Sequence, residues 1–370
     1  MVRLTRAQQQ RRTRAAVLAA AVEEFAEHGY AEAKIDRIAA RAELTRGAVY
    51  SNFPGKRSLY LAVLLDSLPG GAVPGTAAMA EPVEPVDVAG GAEAFARVWL
   101  ERLPLSSDPL SAGKLSSRSL TGVFDDGPGR TALAEVARLE SLLLALALES
   151  CRARGASRRV RLAELMLTLL HGAAHFAQTA PGFGDPFDVA LACRQLAGLD
   201  LHDTWDPPYL PYVAAAQPCR DAWPPPAGLV DEITRTPVDL DRNGLVVVLG
   251  TGRLGAAEEA VRAARPGDLV TVAAVTTDPA ESGALVRLRI VDLVACLRRV
   301  FGSACTPTLR LVLDDQAVVA SALSVEVAED TEAAVRLAAG HVVARAHGRG
   351  AAYAAAIALA PAGPQAETQP

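Results

Sequence analysis

The feature that most constrains the fold lies between residues 35 and 53, where two short helical patterns follow each other closely. Residues 35–42 carry apolar side chains at positions i, i+3, i+4 and i+7, which predicts a short helix with one buried face. Only Glu43 and Leu44 connect it to a second short helix, which Thr45 is suited to cap and which ends before Pro54. Such a pair predicts a helix-turn-helix, whose second helix is short enough to enter a DNA major groove about 12 Å wide.

Two further helices complete this predicted domain. Thr13 is suited to cap a first helix, and Gly29 is placed to end it in a left-handed conformation. A fourth helix is predicted to start near Lys56, after the break at Pro54-Gly55. We therefore expect an all-α DNA-binding domain over residues 1–66.

The charges of the chain are distributed unevenly. The net charge is −5, yet residues 1–60 carry eleven arginines and lysines against six acidic residues, a balance of +5. The remaining residues therefore sum to −10. This asymmetry predicts a nucleic-acid-facing head on an acidic body.

Helical patterns resume after residues 69–93, a Pro/Gly/Ala-rich segment that is expected to be a flexible loop. A second, helical domain is predicted over residues 94–202, with helices at 94–103, 131–154, 157–178 and 186–199. Residues 203–228 are dense in proline and are interpreted as a linker.

Beyond this linker the pattern changes to alternating strands and helices, which predicts a smaller α/β domain of unassigned role over residues 229–370. Strands are predicted at 245–249, 269–276, 309–313, 318–327 and 352–359. Helices are predicted between them at 254–264, 284–301 and 331–347. The expected architecture is therefore multidomain, with two all-α domains followed by an α/β domain.

Three motifs in the N-terminal segment resemble the DNA-binding domain of the TetR family of bacterial transcriptional regulators. They are F-x-x-x-G-Y at 25–30, I-D-R-I-A-A-R-A at 35–42 and T-R-G-A-V-Y-S-N-F-P-G-K-R-S-L at 45–59. The helices at 94–199 fit the family's ligand-binding and dimerisation domain in number and length. The sequence departs from the family at Glu43, where a glycine is common, and at Ala33-Lys34, where small polar residues usually open the second helix.

The resemblance implies a set of DNA-contacting residues. The start of the recognition helix would face base edges and nearby phosphates, and later residues would contact the backbone; with Lys34, the candidates are Thr45, Arg46, Gly47, Ala48, Tyr50, Asn52 and Lys56. Arg46 is the residue able to bridge guanine O6 and N7. N-terminal arginines are interpreted either as a minor-groove arm or as a solubilising tail, namely Arg3, Arg6, Arg11, Arg12 and Arg14.

The resemblance also implies a homodimer formed through the helices near 157–178 and 186–199. It would bind a double-stranded DNA operator as a repressor, and a small-molecule inducer bound among the helices of 94–178 would release it. Candidate pocket residues, chosen for aromatic or polar character on the predicted helices, are Phe95, Trp99, Phe124, Leu143 and His171.

A glycine motif in the C-terminal domain leaves alternatives open. Gly250, Gly252 and Gly255 form G-x-G-x-x-G between a predicted strand and helix, the context of a dinucleotide-binding turn. The expected acidic residue is not well placed after the second strand, so a structural turn is favoured. The alternatives are a regulator fused to a nucleotide-binding or enzymatic module, and a C-terminal domain that serves only oligomerisation.

Other classes are excluded by simple counts. No apolar run reaches the ~18–20 residues of a membrane-spanning helix. The five scattered cysteines predict neither a disulfide framework nor a zinc finger, and His171 and His175, spaced i, i+4, lack a third metal ligand. We expect a cytoplasmic, nucleoid-associated protein that is not an enzyme and holds no cofactor or metal.

Overall fold

The computed structural model describes residues 5–68, 87–103, 120, 122–151, 158–205, 207–302, 305–306 and 308–358. Residues 69–86 of the predicted loop lie outside this described part, as does Arg3 of the candidate arm. The last residues of the predicted strand 352–359 and of the helix 131–154 lie partly outside it as well.

Four helices form the N-terminal domain, in the predicted order. They are α1 (Arg6–Glu32), α2 (Ile35–Arg41), α3 (Arg46–Tyr50) and α4 (Lys56–Asp66). The first helix begins before the predicted Thr13, because Thr5 and Gln8 form a reciprocal capping box at Arg6. Gly29 has φ +67° and kinks the helix, and the chain regains helical geometry as far as Glu32.

Four further helices follow: α5 (Val88–Leu100), α6 (Gly127–Glu149), α7 (Val160–Thr179) and α8 (Pro186–Leu196). Asp185 caps α8, whose start at Pro186 matches the predicted helix 186–199. Two predicted starts were wrong, because Asp87 and Asp126 cap α5 and α6 before residues 94 and 131. An aspartate at an N-cap accepts the orphan amides of the first turn, and both aspartates were overlooked.

The C-terminal region forms one six-stranded sheet in the order β1-β6-β5-β2-β3-β4. The strands are β1 (Gln217–Ala222), β2 (Gly244–Gly250), β3 (Leu269–Val275), β4 (Leu309–Leu313), β5 (Glu332–Ala338) and β6 (His341–His347). β2, β3 and β4 are parallel and are joined through α9 (Ala257–Ala263) and α10 (Ala284–Phe301). The other pairs in the sheet are antiparallel.

The predicted helix at 331–347 is wrong, because these residues form the hairpin of β5 and β6. Ala339 and Gly340 have φ +49° and +74°, the two left-handed residues of a tight hairpin turn. β5 lies between β2 and β6 and is buried on both faces, so it lacks the polar alternation that would have marked a strand.

The predicted strands at 318–327 and 352–359 are also wrong, since both segments begin with helices. In α11 (Val318–Ala322), the Asp314 carboxylate accepts the amides of Val318 at 2.8 Å and Val319 at 2.9 Å. In α12 (Ala351–Ile357), small buried alanines allow the helix to lie close against β5, and Arg336 donates to the Ala355 carbonyl at 3.0 Å.

Part of the segment interpreted as a linker belongs to the sheet. β1 lies within residues 203–228 and pairs with β6. Immediately after it, Trp223 is buried and its indole Nε1 donates to the Leu240 carbonyl at 3.1 Å.

The helical region and the sheet share one hydrophobic core. One face of the sheet packs against α9 and α12, which share a hydrophobic cluster with α5, α6, α7 and α10, while the opposite face packs with α11. The long helix α10 contacts α4, α5 and α6, so the C-terminal region is in direct contact with the N-terminal domain. None of the helices in the described part of the chain is both long and apolar enough to cross a membrane.

Candidate functional site

The geometry of the helix-turn-helix is held by Glu24, a fully buried carboxylate of α1. Its Oε1 accepts the Lys34 amide at 3.0 Å and Arg37 Nε at 2.6 Å, and both donors belong to the start of α2. Burial alone would raise the pKa of Glu24, but these hydrogen bonds outweigh it and hold the pKa below its usual value. Glu24 thereby fixes the position of α2, against which α3 packs, relative to α1.

The N-terminal end of α3 is exposed, as expected for a recognition helix. Thr45 caps it by accepting the Ala48 amide at 3.2 Å, and Val49 on the opposite face is buried. The Arg46 side chain is 61% exposed, with a guanidinium nitrogen 3.4 Å from the Asp36 carboxylate and the guanidinium carbon 5.5 Å from the centre of the Tyr50 ring. Exposed contacts of this kind are weak and can be exchanged for contacts with DNA.

Gly47 is not required by the fold. A Cβ built on it would meet only Thr45 Oγ1, at the ordinary contact distance of 3.8 Å, and its backbone is not left-handed. Nothing within the described chain therefore demands a glycine at this position. Ala48, next to it, is half-buried.

The remaining predicted DNA-contacting residues lie on or near α3 and differ in exposure and in their hydrogen bonds. Lys34 and Tyr50 are exposed, while Asn52 donates its Nδ2 to the Ala48 carbonyl at 2.9 Å. Lys56, at the start of α4, is partly engaged, since its Nζ donates to the Ala31 carbonyl at 2.9 Å and lies 4.9 Å from the Tyr30 ring centre. Burial lowers the pKa of Lys56.

The structure places the described N-terminal arginines on a helix and not in an extended arm. Arg6, Arg11 and Arg12 belong to the first turns of α1 and are exposed. Arg14 reaches the end of the recognition helix, where its guanidinium lies 4.3 Å from the Phe53 ring centre and donates to the Asn52 carbonyl at 3.2 Å. It therefore contributes positive charge beside α3.

A cavity of about 410 Å³ lies between the helical region and α10. Two of the predicted pocket residues, Trp99 and His171, line it, with ring centres 5.4 Å apart. Three others do not: Phe95 and Leu143 are fully buried core residues, and Phe124 lies beneath Arg57 at the edge of the DNA-binding domain.

The cavity contains charged groups that the sequence analysis did not single out, namely Arg102, Glu140, Arg289 and Asp292. Arg289 Nη2 makes a short hydrogen bond with the Glu140 carboxylate and lies 2.9 Å from His171 Nε2, and Arg102 forms an ion pair with Asp292. Burial and the neighbouring arginines lower the pKa of His171 to about 3, so the imidazole is neutral. One feature of the sequence pointed to it, because Glu140 lies just before the apolar run of residues 142–148 in α6.

The glycine motif after β2 is a structural turn. A Cβ on Gly250 would lie 2.3 Å from the Ala328 carbonyl oxygen, and one on Gly252 would lie 2.8 Å from the Glu329 carbonyl oxygen. The Gly255 amide donates to the Glu135 carboxylate at 2.8 Å. Side chains and backbone of this chain thus occupy the space and the amide that a pyrophosphate would need, which argues against the nucleotide-binding alternative.

Within the described residues, one group of three potential metal ligands lies together, Glu24, Glu27 and His28. Its carboxylates are already engaged by Arg37 and Arg41. His171 and His175 do not form such a group in the described part of the chain.

Comparison with known proteins identifies the N-terminal segment. Residues 17–63 match the family described as bacterial regulatory proteins, tetR family. The HTH-type transcriptional repressor SCO4008 of Streptomyces coelicolor is 36% identical over 91 residues, which are 25% of this chain and 40% of that protein. The chain thus matches less than half the length of this curated relative.

Two solved structures also align with the chain. A TetR transcriptional regulator from Rhodococcus sp. RHA1 aligns over 53% of this chain and 99% of its own, with 21% identity and a TM-score of 0.30. A putative TetR-family regulator from Mesorhizobium loti MAFF303099 aligns over 53% and 96%, with 16% identity and a TM-score of 0.25. The family match over residues 17–63 coincides with the helix-turn-helix described above. Over residues 17–63, the N-terminal domain of this chain is therefore similar to the tetR family of bacterial regulatory proteins.

Proposed function

We propose that the chain is a sequence-specific, DNA-binding transcriptional regulator that represses its target until a small molecule releases it. The observation that carries this proposal is the exposed start of α3 on the tetR-family domain, where Arg46 and Gly47 face solvent. An exposed guanidinium there is suited to bridge guanine O6 and N7, and the neighbouring glycine lets the backbone approach DNA. The relative named as a repressor favours repression over activation.

We infer further that the active form is a homodimer. Large apolar side chains are exposed on and next to α7 and α8, namely Leu165, Phe176, Phe183, Phe187, Leu191 and Leu199. Exposed apolar groups concentrated on one pair of helices are typical of a protein interface. A two-fold dimer would present two copies of α3 to a two-fold-related operator.

Release would depend on the cavity, because its lining reaches the DNA-binding domain. Leu64 and Leu68, at the end of α4, contribute to the cavity, and α4 begins beside the recognition helix. A ligand that binds better to one arrangement of α4 would shift the population of DNA-binding conformations.

Selection of DNA by the full-length protein from a pool of random duplexes tests the proposal. We expect enrichment of one sequence with two related half-sites, each containing a guanine that Arg46 reads. A pool that gains no common sequence after repeated selection would contradict sequence-specific binding. Enrichment of a single half-site would contradict the dimer.

A further inference from the structure

We propose that the cavity between α10 and the helical region binds an apolar carboxylic acid, with the carboxylate held by Arg289 and Arg102. This inference deepens the proposed function, on which its regulatory consequence rests. The binding site itself is argued from contacts inside the cavity and can be tested without DNA.

The cavity combines an apolar wall with a partly buried charged cluster. Leucines of α4, α7 and α10 line it, together with Trp99 of α5 and Leu103 just after that helix. The charged groups contact one another. Arg289 donates a hydrogen bond to Glu140, and Arg102 forms an ion pair with Asp292, which lies one turn after Arg289 on α10. Pockets with mostly apolar walls and a few placed polar groups are typical of small-molecule sites, and this volume lies within their usual range.

Two guanidinium nitrogens in this cluster have unused hydrogen-bonding capacity. Arg289 Nε is buried and has no hydrogen-bond partner among the described residues. Arg102 Nη1 is also buried there and, although it lies within ion-pair range of Asp292, makes no aligned hydrogen bond. Buried donors without acceptors are rare in folded proteins, so a ligand that supplies acceptor oxygens would complete the site.

The charges favour a carboxylate as the source of those oxygens. Glu140 is almost fully buried and committed to Arg289, whereas the Asp292 side chain is 41% exposed and is free to turn toward solvent. A ligand carboxylate can therefore replace Asp292 beside Arg102 and keep the two arginines balanced by two acids. Charge-assisted hydrogen bonds to guanidinium groups are stronger than those of a neutral oxygen, so an acid should bind in preference to the matching alcohol.

The same helix links this site to the DNA-binding domain. Leu288 lines the cavity and, with Leu285, packs in the core of the DNA-binding domain. Just before α10, Glu281 forms an ion pair with Arg57 of α4 at 3.2 Å. A shift in the position of α10 on ligand binding would therefore change the position of α4.

Calorimetric titration of the full-length protein with decanoate, and separately with decanol, tests the site. We expect one decanoate site per chain and at least tenfold weaker binding of decanol. Arg289→Lys keeps the charge beside Glu140 but removes the Nε donor. It should therefore weaken decanoate binding at least tenfold and leave the affinity for decanol unchanged. Arg287→Lys, on the same helix but outside the cavity lining, should bind decanoate like the unmodified protein.

Asp292→Asn provides a second, opposite test. Removing the competing carboxylate should strengthen decanoate binding several-fold, which no loss of folding would produce. Failure to bind decanoate, equal affinity for decanoate and decanol, or unchanged decanoate affinity in Arg289→Lys would each overturn the proposal.

Parallel titrations with the selected DNA separate the two proposals. If decanoate binds as expected but leaves DNA affinity unchanged, the acid site stands and the release mechanism fails. If the protein binds decanoate but no DNA, the acid site stands and the proposed function fails.

Discussion

At the scale of single residues, Glu24 shows how a buried acid can determine the position of a whole helix. It makes two hydrogen bonds to the start of α2 and is fully buried, so its replacement leaves donors without acceptors. The stabilisation depends on the ionised form. Because the folded pKa lies below the unfolded one, the stabilisation is present near neutral pH and is lost as the pH falls through the folded pKa.

Glu24→Gln should therefore lower the free energy of unfolding by about 1–3 kcal/mol at pH 7, the usual cost of breaking hydrogen bonds to a buried charged group. The difference from the unmodified protein should shrink from about pH 5 downward, since the Glu24 carboxylate then begins to bind protons in the unfolded chain before it does so in the folded one. Urea unfolding at several pH values measures it. A difference that stays constant down to pH 3 would contradict the role of the charge.

Glu43 lies in the turn between α2 and α3 with φ +55°, a left-handed conformation that costs a non-glycine residue about 1–2 kcal/mol. Glu43→Gly should remove this cost. The glycine also gives the unfolded chain more conformational freedom, which lowers the stability by about 0.5–1 kcal/mol. We expect the free energy of unfolding, measured by thermal unfolding, to increase by up to about 1 kcal/mol. The control Gln10→Gly, at an exposed helical position, should instead destabilise the protein. Equal effects of the two variants would contradict strain at Glu43.

At the scale of elements, the sequence predicts helices well where capping and periodicity agree. The starts of α3, α4 and α8 follow from their caps or breaks, the start of α2 follows from its apolar periodicity, and α10 matches its predicted bounds. Elements defined by distant partners were missed. β5 is a strand because β2 and β6 pair with it, and β1 is a strand because β6 does, information that no local window contains.

The exposed apolar side chains of α7 and α8 make a prediction about assembly. Phe187→Glu should convert the proposed dimer to a monomer, because a charge placed in an apolar interface would be left without a partner. Light scattering coupled to size-exclusion chromatography measures the mass. The control Gln10→Glu, at an exposed position of α1, should leave the proposed dimer intact. A Phe187→Glu protein that remains dimeric would place the interface elsewhere.

The candidate site was only partly predictable for the same reason. The exposed residues of α3 follow from the motif, because a helix-turn-helix fixes their positions locally. The charged cluster of the cavity joins Arg102, just after α5, with Glu140 of α6 and Arg289 of α10, which are distant in sequence. Its assembly depends on how α10 packs against α5 and α6, which the sequence alone does not specify.

At the scale of the whole molecule, the helical region and the sheet depend on each other. α10 packs against α4, α5 and α6, and Leu285 is fully buried in the core of the DNA-binding domain. A fragment of residues 1–205 would expose these apolar faces. We expect it to lose fixed side-chain packing, seen as loss of the near-ultraviolet circular dichroism signal, whereas residues 1–358 should unfold in one transition like the full chain. A 1–205 fragment with intact packing would contradict a shared core.

The exposed start of α3 is proposed to read DNA sequence, and a substitution of Arg46 tests this proposal. Fluorescence anisotropy compares the full-length protein and Arg46→Ala on the selected duplex and on a scrambled duplex, with Arg220→Ala, an exposed arginine of β1, as the control. We predict that Arg46→Ala loses about 1–3 kcal/mol on the selected duplex and little on the scrambled one, while the control is unchanged on both. Equal losses on both duplexes, or no loss on either, would contradict sequence reading by Arg46.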